Sequence, residues 1–125
     1  MKLRIKGNSI RLRLSQTEVK KFGETEICFD TISFGENELT YQLHMAEVES
    51  VSAEFGNNTI EVAVPYELGE NWVKDDEMVG FEHNQSFENG EQLYILIEKD
   101  FQCLSDRKNE DESDNFPNPN AGESC

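Results

Sequence analysis

The chain has 125 residues, of which 36% are hydrophobic and 30% are charged, and its net charge is −15. This apolar content suffices for one core and excludes wholesale disorder, while no apolar run approaches the ~20 residues of a transmembrane helix. The first residues lack the apolar core of a signal peptide, and three scattered cysteines exclude a disulfide framework. We therefore expect a single cytoplasmic domain.

The basic residues are concentrated at the start of the chain. Residues 1–24 contain seven of the 11 basic residues and two of the 26 acidic ones, so this segment carries +5. The remaining 101 residues hold 4 basic and 24 acidic residues and carry −20. Such asymmetry indicates a basic site on an acidic body. The alternative is that two solvated strand faces are simply rich in lysine and arginine.

Alternation of apolar and basic residues predicts two half-buried strands at the start of the chain, separated by turn residues at 7–9. Ser15 and Glu18 form a capping-box pattern, which predicts a short helix over residues 16–22. Gly23 follows this helix, and we expect it to supply the left-handed residue that ends it.

A third strand is predicted over residues 27–34. Its apolar face begins with Ile27 and Phe29, and Cys28 alternates to the other side as a reduced thiol packed like a small apolar group. The alternation slips near Thr31-Ile32, which predicts a bulge. After a turn, the chain returns in a fourth strand over residues 39–44.

The second half of the chain repeats this order of elements. The predicted elements are strands over 52–55 and 60–64, a helix opened by Pro65 and extending to 73, and strands over 78–81 and 93–97. An Asn-Gly turn at 89–90 precedes the last strand.

The two halves match one another, which indicates an internal duplication. The matching positions are residues 9–15 with 59–65 and Phe22 with Trp72 at a shift of 50, and Leu39, Tyr41 and Leu43 with Leu93, Ile95 and Ile97 at a shift of 54. We predict a mainly β fold, a single pseudo-dimeric β-barrel domain over residues 1–103 with two short helices. Its halves span about 1–47 and 48–103.

The repeated unit carries the motifs of a known domain. These motifs are residues 56–57, 62–68 and 75–79 in the second half, and Gly7-Asn8-Ser9 with Arg13 in the first half, where Ser15 replaces the usual proline. They resemble the swapped-hairpin domain of AbrB-like regulators and MazE-type antitoxins. In that family two chains interleave their hairpins into one barrel and bind DNA through the first strands and turn. The resemblance implies a single-chain pseudo-dimer over residues 1–99. The whole chain also resembles a small uncharacterised bacterial family.

The charge pattern and the resemblance indicate one binding surface on the first two strands. The candidate nucleic-acid or anion-binding residues are Arg4, Lys6, Asn8, Arg11 and Arg13. Arg4, Asn8 and Arg13 match the DNA-facing positions of the family. The second half has Ala53, Asn57 and Ala63 there, so it lacks the second basic half-site that a symmetric DNA reader needs. We expect the four cations of this surface to project into solvent.

Two functions therefore remain open. The first is a non-catalytic regulator, DNA-binding or antitoxin-like, that uses the basic patch. The second is a protein-interaction module on the same barrel, with the basic strands facing an acidic partner and no nucleic acid bound. We expect a monomer in either case, since the pseudo-dimer lies within one chain, and no association with membranes.

Other residues with reactive side chains lack a supporting pattern. His44, His83, Cys103 and Cys125 occur without the spacing of a metal site, and no base can be assigned to Cys103. The chain has no phosphate-binding loop and no serine elbow. We therefore predict no enzyme activity, no metal and no cofactor. Residues 104–125 form a polar, acidic tail, which we expect to be mobile or to become ordered on a partner.

Overall fold

The computed structural model describes residues 1–101, 114 and 116. The elements of this described part are β1 Lys2–Ile5, β2 Ser9–Leu14, α1 Gln16–Thr25, β3 Ile27–Ser33, β4 Glu38–Ala46, β5 Ser52–Gly56, β6 Thr59–Pro65, α2 Tyr66–Lys74, β7 Gly80–Ser86 and β8 Gln92–Lys99. The predicted mainly β fold with two short helices is confirmed. Neither helix in the described residues is long and apolar enough to cross a membrane.

The strands form two four-stranded sheets, and each sheet contains strands from both halves of the chain. The first sheet has the order β1-β2-β8-β7, and the second has the order β3-β4-β6-β5. β2 runs parallel to β8 and β4 runs parallel to β6, whereas the other neighbours are antiparallel. The hairpins of the two halves are therefore interleaved. Among the described strands no ladder joins the two sheets, so they form a pair of sheets and not a closed barrel.

The register of the strands follows the duplication. Ile10 of β2 lies opposite Ile95 of β8. The equivalent residues, Ile60 of β6 and Tyr41 of β4, also lie opposite each other. Every residue pair between β2 and β8 has an equivalent pair between β6 and β4. The two halves are therefore related by a pseudo-twofold relationship that extends to individual residue pairs.

The core lies between the two sheets and is closed at one end by the helices. Leu43 and Ile97, predicted to be equivalent, are both fully buried, as are Phe22 of α1 and Trp72 of α2. Each helix follows the end of a central strand, β2 or β6, whereas the four hairpin turns lie where the central strands begin. The molecule thus has a helix end and a hairpin end.

α1 begins as predicted but ends later. The Glu18 N–H donates to Ser15 Oγ at 3.3 Å, and the Ser15 N–H donates to Glu18 Oε1 at 2.9 Å, which confirms the capping box. The helix continues through Gly23, and Glu26, with φ of 68°, supplies the left-handed residue. The prediction for Gly23 is wrong because this residue lies against α2, where a Cβ would come 2.7 Å from Val73 Cγ1.

β3 buries the face opposite to the one that the sequence predicts. Cys28 is buried against the core, whereas Phe29 is 52% exposed. The register with β4 is continuous over 27–33, so the predicted bulge near Thr31-Ile32 is wrong. Both faces of this strand carry apolar side chains, so the local sequence does not decide which face is buried. The pairing of Cys28 with the fully buried Leu43 decides it.

Two boundaries in the second half differ slightly from the prediction. Pro65 is the N-cap residue of α2, whose first helical residue is Tyr66. β7 begins at Gly80, so the predicted strand residue Met78 lies in the connection before it, where its N–H donates to the Asp75 carbonyl. This turn, and not apolar alternation, sets the start of β7.

One residue of the predicted tail reaches the start of α1. The Asp114 carbonyl accepts the Gln16 N–H at 2.9 Å, and Asp114 Oδ1 accepts the Thr17 N–H at 3.1 Å. Asp114 thereby satisfies two N–H groups that have no partner within the helix. Apart from Asp114 and Phe116, the predicted tail over 104–125 lies outside the described residues.

Candidate functional site

Four cations lie on the outer face of β1 and β2, and the sequence predicts anion binding for three of them, Arg4, Arg11 and Arg13. We call this set the basic ribbon: Lys2, Arg4, Arg11 and Arg13. Lys2 lies directly opposite Arg13, and Arg4 lies directly opposite Arg11. Like charges placed directly opposite on neighbouring strands destabilise a sheet unless something compensates them.

Two carboxylates at the end of β8, Glu98 and Asp100, pair with three of the four cations of the basic ribbon. Arg11 Nε donates to Glu98 Oε1 at 2.6 Å, and Arg13 Nε lies 3.1 Å from the same oxygen. Asp100 is 2% exposed, and its carboxylate lies 2.9 Å from Lys2 Nζ and 3.4 Å from Arg13 Nη2. These ion pairs connect the end of β8 to the first two strands.

The expectation that all the cations project into solvent is therefore only partly correct. Arg4 and Lys6 are exposed, and neither has an ion pair among the described residues. Arg11 and Arg13 are half-buried because they pack along β8 to reach its carboxylates. Asn8 lies in the β1–β2 turn, where its side-chain N–H donates to the Gln92 carbonyl at 2.5 Å. The structure thus brings the five residues into one region, with two cations free to bind an anion.

Two of the four equivalent positions in the second half carry the opposite charge. Glu54 of β5 lies directly opposite Glu61 of β6, as Arg4 lies opposite Arg11. The prediction that Ala53 is the equivalent of Arg4 is therefore wrong by one residue, because the strand register makes Glu54 the equivalent. We call Glu54 and Glu61 the acidic ribbon. Both side chains are exposed, and no cation of the described residues pairs with either. The single basic half-site expected from the sequence is thus accompanied by an acidic counterpart.

An apolar groove opens between the two sheets at the hairpin end. Its volume is about 800 Å³, and its lining residues are Ile10, Ala53, Glu54, Phe55, Ile60, Gln85, Phe87 and Leu93. Phe55 and Phe87 stand at its rim with exposed fractions of 73% and 41%. The Ala53 N–H donates to Gln85 Oε1 at 2.7 Å, which connects β5 to β7 at the base of the groove. The sequence analysis did not predict this groove.

The groove exists because the helices cover only one end of the core. Side chains that point inward near the hairpin turns have no helix above them, and they remain exposed. Ile5, Ile32 and Phe34 of the first half show the same behaviour, with exposed fractions of 60%, 47% and 67%. The hairpin end therefore presents large apolar side chains from both halves. A sequence signal existed, since Phe34, Phe55 and Phe87 all stand beside turns.

Other candidate chemistry is not assembled. Cys28 is buried, and burial raises the pKa of its thiol, which disfavours the reactive thiolate. His44 lies on the outer face of β4 with Nδ1 3.4 Å from the amide nitrogen of Gln42. Within the described residues no group of three or more His, Cys, Asp or Glu side chains could hold a metal ion. Cys103 and Cys125 lie outside those residues.

One buried cation was not predicted. Lys99 is 1% exposed, and its Nζ donates to the Asp75 carbonyl at 2.8 Å. The same Nζ lies 5.9 Å from the ring centroid of Trp72 and 5.4 Å from that of Phe116. Burial lowers the pKa of Lys99, although the charges of Asp76 and Asp75 act against this shift. The alternation of residues 93–97 continues to position 99, and this signal could have identified it.

The family assignment rests on most of the chain. A profile of the family described as "Family of unknown function (DUF7009)" matches residues 1–120. The chain belongs to this family. The DUF7009 match includes the basic ribbon, the acidic ribbon, the groove and the two described residues of the tail. Neither the curated proteins nor the solved structures contain a significant match to the chain.

Proposed function

We propose that this protein is a non-catalytic binding module that holds a segment of a partner protein in the groove at its hairpin end. The observation that carries the proposal is the groove itself, a concave apolar site of about 800 Å³ with Phe55 and Phe87 exposed at its rim. Contiguous apolar surface of this kind is costly to leave in water and marks sites of protein interaction. The protein-interaction function is therefore better supported than the DNA-binding one.

The charges on the outer faces also favour the protein-interaction function over the DNA-binding one. Arg11 and Arg13 already pair with Glu98 and Asp100, so binding DNA phosphates with them requires these ion pairs to be shared or broken. The acidic ribbon at the pseudo-equivalent position repels phosphate. The interleaved topology still supports the resemblance to AbrB-like and MazE-type domains, which include regulators that bind DNA and antitoxins.

Site-specific photo-crosslinking in the cells that naturally produce the protein tests the proposal. With p-benzoylphenylalanine in place of Phe55, we expect a discrete protein adduct that is lost when Ala53→Leu is added, because the leucine side chain fills the groove. Phe29, which is 52% exposed on the outer face of β3, is the matched control position and should give no such adduct. The proposal fails if position 55 gives no adduct, or if the adduct persists with Ala53→Leu.

DNA binding through the predicted anion-binding residues of the first two strands and their turn is the second candidate, and the exposure of Arg4 and Lys6 favours it. Titration of duplex DNA over a range of salt concentrations tests it. Two free cations predict a log–log salt slope of about −1.8, whereas full use of Arg4, Lys6, Arg11 and Arg13 predicts about −3.6. Arg4→Glu should abolish the binding. Absence of salt-dependent binding removes this candidate.

A further inference from the structure

One difference between the two halves lies beside the groove. Ala53 occupies the position equivalent to Leu3, since Ala53 lies opposite Val62 and Leu3 lies opposite the equivalent Leu12. Leu3 is partly buried and packs against the core, whereas Ala53 is buried in the core and lines the groove. The side chain at this position is therefore smaller in the second half, on the side of the core where the groove opens.

A second difference gives the groove its charge. Glu54, which borders the groove, lies directly opposite Glu61, and this arrangement of like charges destabilises the strand pair. Of the two equivalent cations, Arg11 pairs with Glu98, whereas neither member of the acidic ribbon has a compensating cation among the described residues. A cation supplied from outside would remove this repulsion.

The surroundings of the groove add to the negative charge. Exposed carboxylates stand in or beside three of the four hairpin turns, and they are Glu36, Glu38, Glu54, Glu61, Glu88 and Glu91. Arg4 and Lys6 are the exposed cations near the β1–β2 turn at this end. An acidic partner segment, or a second copy of the same hairpin end, would bring like charges together here.

We propose that the groove takes a protein segment in which large apolar side chains are flanked by lysine or arginine. The apolar side chains enter between Phe55 and Phe87, and the flanking cations lie against Glu54 and Glu61. This inference rests on the proposed function and adds the chemistry of the partner. The negative charge of the second half favours a basic partner, and the small side chain of Ala53 leaves room for that partner in the groove.

Three synthetic peptides of equal length test the chemistry, with the full chain in the calorimeter. The first alternates leucine and lysine in an amphipathic helical pattern, the second replaces lysine by glutamate, and the third replaces leucine by serine. We expect the leucine–lysine peptide to bind at least about tenfold more tightly than the other two, and its affinity to fall with added salt. Failure of this peptide to bind overturns the inference.

Variants connect the binding to the groove. Ala53→Leu, which inserts the side chain found at the equivalent Leu3, should abolish binding of the leucine–lysine peptide. Glu54→Arg should weaken it about tenfold, because an attraction becomes a repulsion. Glu70→Arg, on the exposed side of α2 at the helix end, makes the same change of charge and should leave the affinity unchanged. Thermal unfolding of each variant verifies that it is folded.

The outcomes separate the two proposals. If the leucine–glutamate peptide binds as tightly as the leucine–lysine one and Ala53→Leu blocks both, the inferred partner chemistry fails while the binding function stands. If Ala53→Leu affects neither peptide, the groove is not the site and both proposals fail. Light scattering tests whether a second copy of the chain occupies the groove. A wild-type dimer that becomes a monomer with Ala53→Leu would show that it does, and this result overturns the inference.

Discussion

Phe22 and Trp72 meet edge to face, with ring centroids 6.0 Å apart and ring planes inclined by 67°. They occupy equivalent positions in the two halves, so the pseudo-twofold relationship brings the anchor of α1 into contact with the anchor of α2. Trp72 also contacts the Phe81 ring at 5.5 Å and donates its indole N–H to the Val79 carbonyl at 3.2 Å. This pair closes the helix end of the core.

Truncation of either ring should be strongly destabilising. We expect Phe22→Ala and Trp72→Ala each to lower the free energy of unfolding by about 3–5 kcal/mol, because each leaves a large cavity. A double-variant cycle in urea should show a coupling energy of about 0.5–1.5 kcal/mol for the edge-to-face contact. Tyr66→Ala, at a partly exposed position on α2, is the control and should be mild. Additive effects of the two truncations would contradict a direct contribution from the contact.

Arg13 should contribute to folding more than Arg4 does. Arg13→Ala removes a cation beside the buried carboxylate of Asp100, and we expect a loss of about 2 kcal/mol in the free energy of unfolding. Arg4→Ala, at an exposed position on the same ribbon, should change it by less than about 0.5 kcal/mol. Chemical denaturation of the two variants measures the difference. Equal effects would show that the contact between Arg13 and Asp100 is dispensable.

These contacts also change the expectation for charge reversal. The sequence pattern predicts that Glu at positions 11 and 13 abolishes anion binding without unfolding the protein. Replacement of Arg13 by Glu instead places a third carboxylate beside Glu98 and Asp100, so we expect loss of stability as well. Arg4→Glu is the cleaner variant for binding experiments, since it disturbs none of these contacts.

Asp114 should stabilise α1 although it lies far away in the sequence. Asp114→Ala removes the acceptor of the Thr17 N–H, and we expect a loss of about 1 kcal/mol, as for an N-cap residue. Ser15→Ala removes the local cap of the same helix and provides the comparison. Thermal unfolding of both variants is the measurement. An unchanged melting temperature for Asp114→Ala would show that the tail contact is not maintained in solution.

Lys99 should make stability depend on pH in the alkaline range. Burial lowers its pKa from the usual 10.5, so between the lowered pKa and 10.5 the unfolded chain binds more protons than the folded one. The contribution of Lys99 to the free energy of unfolding therefore rises with pH in this window. The free energy of unfolding of Lys99→Met should therefore fall relative to that of wild type as the pH rises towards 10.5. A difference between Lys99→Met and wild type that does not change with pH would contradict this prediction.

Local patterns predicted the elements whose causes lie within a few residues. The capping box of Ser15 and Glu18 is such a case, since both partners lie in the first turn of α1. The alternation in β2 is another, because Ile10, Leu12 and Leu14 face inward wherever the strand is placed. The matching of the halves also predicted that Leu43 and Ile97 occupy equivalent positions in the core, and both are fully buried.

Contacts between residues distant in the chain decided the rest. Gly23 was expected to end α1, but its closeness to Val73 of α2 shows that it serves packing. Arg13 and Asp100 could not be paired from sequence, because nothing local places β8 beside β2. The groove is a third case, since the significance of Ala53 emerges only when β5 and β7 are brought together. Alternation and caps depend on neighbours along the chain, whereas burial, charge pairing and open space depend on which distant side chains the sheets place opposite one another.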